Sequence, residues 1–223
     1  MKADLAVIFD MDGVLVNNFA WHLKAWEKFC KKHKKRISAD EFREHVFGGN
    51  NPDHLKFIFG NHLSHELINK YGQEKELIYR ELYKGNIQPV AGLKTFLSEI
   101  KEIGIPTAIA TSAERANVDF ILEAIGLSEH FNVIVDSSMI KKGKPDPEVF
   151  TKAASLLNTE PQKCIVFEDS LKGIAAALNA RMKVIGVGTT HYVAELTEAH
   201  LVINDFTEIS ADRLKILVNQ SNY

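Results

Sequence analysis

The feature that most constrains the fold is an alternation of short apolar runs with amphipathic helical patterns from residue 88 onward. Leu93, Phe96, Leu97 and Ile100, for example, follow the i, i+3, i+4, i+7 spacing of a helix with one buried face. The apolar runs between such helices have no polar alternation, which is typical of strands covered on both sides. We therefore predict a mostly parallel sheet with helices on both faces.

The predicted class is α/β, with a Rossmann-like core of three α/β/α layers. The predicted strands are Leu5–Phe9, Thr107–Ala110, Asn132–Val135, Cys164–Phe167, Val184–Val187 and Leu201–Ile203. The predicted helices of the core are Leu93–Ile103, Arg115–Ile125, Pro147–Leu157 and Leu171–Asn179.

Residues 17–87 interrupt this pattern. One helix is enough to connect the first two strands, and Leu93–Ile103 supplies it. The inserted residues have no strand character, and Phe19, Leu23 and Trp26 recur at helical spacing. We predict an α/β core domain of residues 1–16 and 88–223, and an all-helical cap domain of residues 17–87.

Composition and charge limit the classes of partner. The chain has 223 residues, of which 45% are hydrophobic and 25% charged, with a net charge of −2. This balance predicts neither a nucleic-acid nor a membrane partner. The basic run Lys31–Arg36 fits a solvated helix end, where cations suit the helix dipole. We expect a monomer.

The cysteines and the N-terminus indicate the compartment. The two cysteines, Cys30 and Cys164, form neither a disulfide framework nor a zinc-binding spacing. Apolar runs stay shorter than the roughly 20 residues that a membrane helix needs. The first strand begins at Leu5, too early for a signal peptide. We expect a cytoplasmic protein.

The first strand ends in the segment IFDMDGVLVN, with two carboxylates two residues apart. Asp10 and Asp12 project to the same side if strand geometry continues. At about 4 Å their repulsion is roughly 4 kcal/mol at an effective dielectric constant of about 20. A bound cation, a proton-transfer task or solvation by the turn are the three explanations for such a pair.

Polar residues also follow other strands, and the carboxyl ends of parallel strands are where function collects. These segments are Thr111-Ser112, the loop around Lys144, and Glu168-Asp169-Ser170. Each segment alone is consistent with a turn or a helix cap. Together they present four carboxylates, a hydroxyl pair and one lysine to one edge, which a structural ion-pair network does not require. The surplus of carboxylates predicts Mg²⁺, and Mg²⁺ commonly shares its site with a phosphate.

The segments FDMDGVL, ATSA, KKGKPDPEVF and VFEDSLKGI resemble, in order and spacing, the four motifs of the haloacid dehalogenase superfamily of phosphotransferases. The resemblance covers the core along the whole chain, and the helical insertion matches one subfamily. It implies that Asp10 is the nucleophile that forms an aspartyl phosphate, and that Asp12 is the general acid and base.

The resemblance also implies the ligands. Thr111 and the backbone amide of Ser112 would hold phosphoryl oxygens, and Lys144 would offset the negative charge. Asp169 would bind Mg²⁺ together with Asp10 and the backbone carbonyl of Asp12. Glu168 would bind the ion or orient its waters.

Within the superfamily, the chain is most similar to the β-phosphoglucomutase-like proteins with a helical cap. His22, in the segment WHLKAW, resembles the histidine that couples cap closure to the acid/base in that subfamily. The cap loop Phe47–Pro52, with Gly49, Asn50 and Asn51, would contribute to substrate choice. Two cations of the mutase loop are replaced by Phe47 and Asn51, and Arg115 is a possible substitute from the core.

A second departure lies directly after the first motif. Asn17-Asn18 stands where relatives usually have an aspartate followed by a hydroxyl residue. Asn makes similar turn contacts, so this departure concerns mainly the detailed conformation of the segment after the first motif.

Three functions remain open at this point. The favoured one is Mg²⁺-dependent hydrolysis of a small phosphorylated, sugar-like metabolite, because a mutase must retain a bisphosphate intermediate. Each lost charged contact to the second phosphate weakens that hold by about 1.5–3 kcal/mol. The alternatives are a β-phosphoglucomutase-type phosphomutase and a protein that only binds a phosphometabolite.

Overall fold

A computed structural model describes residues 4–46 and 48–219 of the chain. The chain divides into two compact units, one formed by the residues up to Asn17 and from Gln88 onward, and one formed by Asn18–Ile87.

The first unit contains a six-stranded sheet of order β3-β2-β1-β4-β5-β6, in which every pair of neighbours is parallel. The strands are β1 Ala6–Phe9, β2 Thr107–Ala110, β3 Val133–Val135, β4 Cys164–Glu168, β5 Lys183–Val187 and β6 Leu201–Ile203. The prediction of a parallel α/β sheet is confirmed.

The helices fall into two groups, one in each unit. Those of the second unit are α1 Phe19–Lys32, α2 Ala39–Glu41, which continues as a π-helical turn over Phe42–Val46, α3 Asn51–Phe59 and α4 His65–Tyr83. Those of the first unit are α5 Leu93–Glu102, α6 Arg115–Ile125, α7 Glu148–Leu156, α8 Leu171–Asn179 and α9 Ala211–Asn219.

The two faces of the sheet bury different side chains, because successive strand residues point to opposite sides. Ala6 and Ile8 of β1 join an apolar cluster with residues of α7 and α8. Phe9 points the other way, and its ring centroid lies 6.4 Å from that of Phe96 on α5 and 5.1 Å from that of Phe167 on β4. The sheet is thus the middle of three layers.

The second unit has an apolar core of its own. Its buried residues come from α1, the π-helical turn, α3 and α4, and they include Trp26, Phe29, Cys30, Phe42, Val46, Leu55 and Ile68. The helical spacing of Trp26 and Phe29 therefore places their side chains in this core.

The observed elements differ from the predicted ones mainly at their ends and near the C-terminus. β4 extends to Glu168, and β5 begins at Lys183. The sequence analysis missed α9, whose buried stripe contains only Ala211, Leu214 and Leu217. Such a narrow stripe in a nine-residue helix is a weak periodic signal.

Candidate active site

Three neighbouring strands place the predicted residues at one edge of the sheet. Asp10 follows β1, Thr111 follows β2, and Glu168 is the last residue of β4. The amide of Asp10 donates to the carbonyl of Phe167 at 3.0 Å, so the strand pairing continues up to the acidic residue. Parallel pairing in the order β2-β1-β4 is therefore what brings these segments together.

Lys144 joins two of the carboxylates. Its Nζ lies 3.0 Å from Asp10 Oδ1 and donates to Glu168 Oε2 at 2.8 Å. All three side chains are buried. Two carboxylates share one ammonium, and Asp169 adds a third carboxylate. Asp10, Lys144, Glu168 and Asp169 are called the core cluster below.

The core cluster meets the requirements of a metal site. One carboxylate oxygen from each of Asp10, Glu168 and Asp169 lies within 4.8 Å of the others. Within the described residues, neither buried oxygen of Asp169 has a hydrogen-bond partner of acceptable geometry. A buried carboxylate without a partner is costly. A hard cation with oxygen ligands fits this arrangement.

The pKa values of the cluster show the same surplus of negative charge. Burial raises the pKa of Asp10 to about 7; Lys144 opposes the rise, and Glu168 and Asp12 add to it. Burial, reinforced by Glu168 and Asp10, raises the pKa of Asp169 well above its usual value. Burial lowers the pKa of Lys144, but Asp10 and Glu168 outweigh this effect and raise it overall. The lysine stays charged, and the carboxylates compete for it.

Two glycines leave room for the carboxylates, and the sequence analysis assigned neither of them to the site. A Cβ on Gly13, whose φ is +79°, would lie 1.8 Å from Asp169 Oδ2. A Cβ on Gly173 of α8 would lie 2.0 Å from the carboxyl carbon of Glu168. Both glycines lie inside the quoted motifs FDMDGVL and VFEDSLKGI, which was the available signal.

Ser170, which the sequence analysis named without a role of its own, and Glu148, which it missed, support the cluster. The hydroxyl of Ser170 donates to Glu168 Oε1 at 2.6 Å and accepts from the amide of Gly173 at 3.1 Å, which caps α8. Glu148 accepts from the amides of Lys141 and Lys142 at 2.9 and 2.8 Å, which shapes the loop that carries Lys144. Both lie inside the quoted motifs.

The predicted phosphate-binding pair lies beside the cluster, at the end of β2. Thr111 is buried, and its Oγ1 accepts from the amide of Ala113 at 3.1 Å. Among the described residues, the buried Oγ of Ser112 has no hydrogen-bond partner. Asp12 is half-buried in the turn after β1, where the amide of Gly13 donates to the carbonyl of Val16 at 2.8 Å.

Two of the predicted residues of the second unit, His22 and Asn51, belong to one hydrogen-bonded network. His22 Nδ1 lies 3.0 Å from Lys75 Nζ, which donates to Glu76 Oε1 at 2.8 Å. Asn51 Nδ2 donates to the same glutamate oxygen at 2.8 Å. His22, Asn51, Lys75 and Glu76 are called the helical network below. Lys75 and Glu76 were missed because no motif marks them.

The other predicted specificity residues have identifiable local partners. Asn50 caps α3 by accepting from the amide of Asp53 at 3.0 Å. A Cβ on Gly49 would lie 2.5 Å from His54 Nε2. Arg115 is exposed at the start of α6 and pairs with Asp119 of the same helix at 2.8 Å. The prediction for Phe47 lies outside the described residues.

No helix in the described part of the chain is both long and apolar enough to span a membrane.

A family model described as haloacid dehalogenase-like hydrolase matches residues 7–187. Over 207 residues, the chain is 30% identical to validoxylamine A 7'-phosphate phosphatase of Streptomyces hygroscopicus subsp. limoneus. That match covers 91% of this chain and 94% of that protein. It is also 30% identical over 216 residues to a chloroplastic 5-amino-6-(5-phospho-D-ribitylamino)uracil phosphatase of Arabidopsis thaliana. That match covers 96% of this chain and spans 58% of that protein's length.

Among solved structures, the fold is similar to a crystal structure of β-phosphoglucomutase from Clostridium difficile, with a TM-score of 0.87 and 29% identity over 98% of both chains. The family model covers well over half of this chain, and the motifs that carry the resemblance lie within its limits. The chain is an enzyme of the haloacid dehalogenase-like hydrolase family.

Proposed function

We propose that this protein is a Mg²⁺-dependent phosphatase that hydrolyses a small, sugar-like phosphate monoester through an aspartyl phosphate on Asp10. The observation that carries the proposal is the core cluster, in which three buried carboxylates lie together at the carboxyl edge of the sheet and two of them share one lysine. Relatives named as phosphatases of phosphorylated compounds support the class of reaction.

The first half of the reaction forms the covalent intermediate. A carboxylate oxygen of Asp10 attacks phosphorus while the bond from phosphorus to the ester oxygen breaks. Asp12 gives its proton to that leaving oxygen, so the product departs as an alcohol. Thr111 and the amide of Ser112 hold the transferring oxygens, and the positive charge of Lys144 favours the ionised form of Asp10.

The second half hydrolyses the intermediate. Asp12, now a carboxylate, takes a proton from a water whose oxygen attacks phosphorus. The bond between phosphorus and Asp10 breaks, orthophosphate leaves, and Asp12 is again protonated. Both residues return to their starting states, as a catalytic cycle requires.

Mg²⁺ would be held by Asp10, Asp169 and the backbone carbonyl of Asp12, with Glu168 as a further ligand or an orienting neighbour. When bound, it would supply positive charge to the phosphoryl group and to the carboxylates. The unpartnered oxygens of Asp169 are the observation that supports this assignment.

The helical network favours hydrolysis over a mutase reaction. Asn51, which stands where the resemblance predicts a cation, donates its amide to the carboxylate of Glu76. Glu76 also pairs with Lys75, so this lysine already has a counter-charge. The mutase remains the second candidate because of the structural similarity to β-phosphoglucomutase. A cap role for residues 17–87, a monomeric state and a cytoplasmic location stay predictions.

Phosphorus NMR on the protein with Mg²⁺ and β-glucose 1-phosphate tests the proposal, with and without a trace of glucose 1,6-bisphosphate. We expect orthophosphate in both samples. Glucose 6-phosphate that appears only with the bisphosphate would instead establish the mutase. An aryl phosphate serves as a second substrate if the sugar phosphate is turned over slowly.

Two variants control this experiment. Asp10→Asn removes the nucleophile and should abolish phosphate release, whereas Asp12→Asn should reduce it by about 10²–10⁴-fold. Phosphate release that survives in Asp10→Asn would contradict the aspartyl-phosphate route. Binding of the sugar phosphate without any turnover by the parent protein would support a pure binding protein.

A further inference from the structure

The segment after β5 reaches the core cluster, although the proposed reaction assigns it no role. Glu168 of β4 lies opposite Gly186 of β5 in the parallel register. The residues that follow Gly186 therefore run alongside Asp169. The amide of Gly188 still pairs with β6, donating to the carbonyl of Ile203 at 2.8 Å, before the chain turns.

Thr189 ties this segment to the turn that follows β1. Its Oγ1 donates a hydrogen bond to the carbonyl oxygen of Gly13. Gly13 is the residue whose Cα borders the carboxylate of Asp169 so closely that a Cβ would collide with Oδ2. Thr189 thus holds in place the Gly13 turn, which packs directly against the Asp169 carboxylate.

Thr190 lies beside Asp169 itself. Its Oγ1 is fully buried and, among the described residues, has no hydrogen-bond partner of acceptable geometry, as is also true of both Asp169 oxygens. The side chain of Thr190 faces the carboxylate of Asp169. A buried donor and a buried acceptor without partners are therefore neighbours.

We propose that Thr189 and Thr190 are positioning residues for the metal-binding edge, in which Thr189 holds the Gly13 turn and the Thr190 hydroxyl orients the carboxylate of Asp169. The inference rests on the proposed Mg²⁺ site. Removal of a group that orients a metal ligand commonly weakens metal binding by about 10–100-fold. Neither threonine touches the reacting atoms in this assignment.

The test is a calorimetric titration of Mg²⁺ into the protein without substrate, with Thr190→Val compared with Thr190→Ser. Valine has the shape of threonine without the donor, and serine keeps the donor. We expect Thr190→Val to weaken Mg²⁺ binding by about tenfold and Thr190→Ser to stay within about threefold of the parent. Thr190→Ala removes the same donor and carries the test if the valine variant does not fold.

The melting temperature in EDTA separates positioning from a structural role. A positioning residue changes Mg²⁺ affinity while the metal-free protein melts close to the parent. An unchanged Mg²⁺ affinity in both Thr190→Val and Thr190→Ala overturns the inference, whatever happens to the melting temperature. A parent protein that does not bind Mg²⁺ overturns the metal requirement of the proposed function as well, so the two failures are distinguishable.

The role of Thr189 is tested by a separate pair of variants. Thr189→Val removes the hydrogen bond to the Gly13 carbonyl, and Thr189→Ser retains it. We expect a loss of Mg²⁺ affinity in the valine variant that the serine variant restores. Equal Mg²⁺ affinities of Thr189→Val and Thr189→Ser would show that Thr189 is not a positioning residue.

Discussion

The core cluster and the helical network both bury a lysine against a glutamate, yet they differ in charge balance. Lys144 and Lys75 each lie 2.8 Å from a glutamate oxygen, and all four side chains are at most 6% exposed. In the core cluster Lys144 also faces Asp10, and Asp169 adds a third carboxylate. In the helical network, Asn51 contributes an amide and His22 an imidazole to the same pair.

This difference shows which property of a buried ion pair indicates function. A buried lysine–glutamate pair is by itself weak evidence, since such pairs also form inside structural networks. Carboxylates in excess of the available cations must be neutralised by protons or by a metal. By this criterion the core cluster is the candidate metal site, whereas Lys75 and Glu76 of the helical network offset each other in charge.

The largest expected effect comes from making the same chemical change in both regions, Asp169→Asn and Glu76→Gln. Asp169→Asn removes a proposed Mg²⁺ ligand, so we expect activity to fall by at least about 10²-fold. The metal-free variant should melt higher than the parent at pH 8, because a buried carboxylate whose pKa is strongly raised has been removed.

Glu76→Gln should have the opposite signature. The amide oxygen can still accept from Asn51 and Lys75, but Lys75 loses its counter-charge, which costs on the order of 3 kcal/mol of unfolding free energy. We expect activity within about tenfold of the parent. Thermal melts in EDTA and phosphate-release assays check both variants. Changes of the same sign in the two melting temperatures would contradict the distinction between the regions.

A smaller effect is expected from adding one methyl group to a helical glycine in each unit. Gly173→Ala places a Cβ about 2 Å from the Glu168 carboxyl group, so Glu168 must leave its position beside Lys144. We expect activity to fall by about 10–100-fold, the usual cost of a misplaced active-site group.

Gly72→Ala is the matched control in α4. Its Cβ would meet the Cβ of Asn51 at 3.5 Å, an ordinary contact. The variant should gain up to about 1 kcal/mol of unfolding free energy from helix propensity and keep its activity within about twofold. Urea unfolding and phosphate-release assays compare the pair. Equal activities would show that the Glu168 side chain has more freedom than its hydrogen bonds indicate.

The sequence was sufficient to predict the sheet and most of the core cluster, for one physical reason. Parallel strands bring their carboxyl ends to one edge, so Asp10 and Glu168 could be placed together from strand patterns alone. Lys144 followed from the motif in which it lies. Gly173, which makes room for Glu168, lies in a quoted motif, but its close approach depends on how α8 packs.

The helical network and the Thr189–Thr190 segment could not be predicted in this way. Lys75 reaches His22 across 53 positions, and Asn51 reaches Glu76 across 25. These contacts depend on the packing of helices, and no spacing in the sequence encodes it. Thr189 contacts Gly13 across 176 positions, which only the strand order brings together.

The smallest expected effect is a pH-dependent stabilisation by Mg²⁺. The raised pKa values of Asp10, about 7, and of Asp169 mean that the folded metal-free protein binds more protons than the unfolded chain between about pH 4 and the folded pKa values. This contribution to stability is lost as the pH rises through the folded pKa values. Mg²⁺ binds only the ionised carboxylates, so it should restore stability at pH 8 and compete poorly with protons at pH 5.

We expect saturating Mg²⁺ to raise the melting temperature by roughly 5 °C at pH 8 and by less than about 1 °C at pH 5. Because the effect is assigned to the core cluster alone, it should vanish in Asp169→Asn and persist in Glu76→Gln. A Mg²⁺ effect that is equal at both pH values would place the bound ion elsewhere.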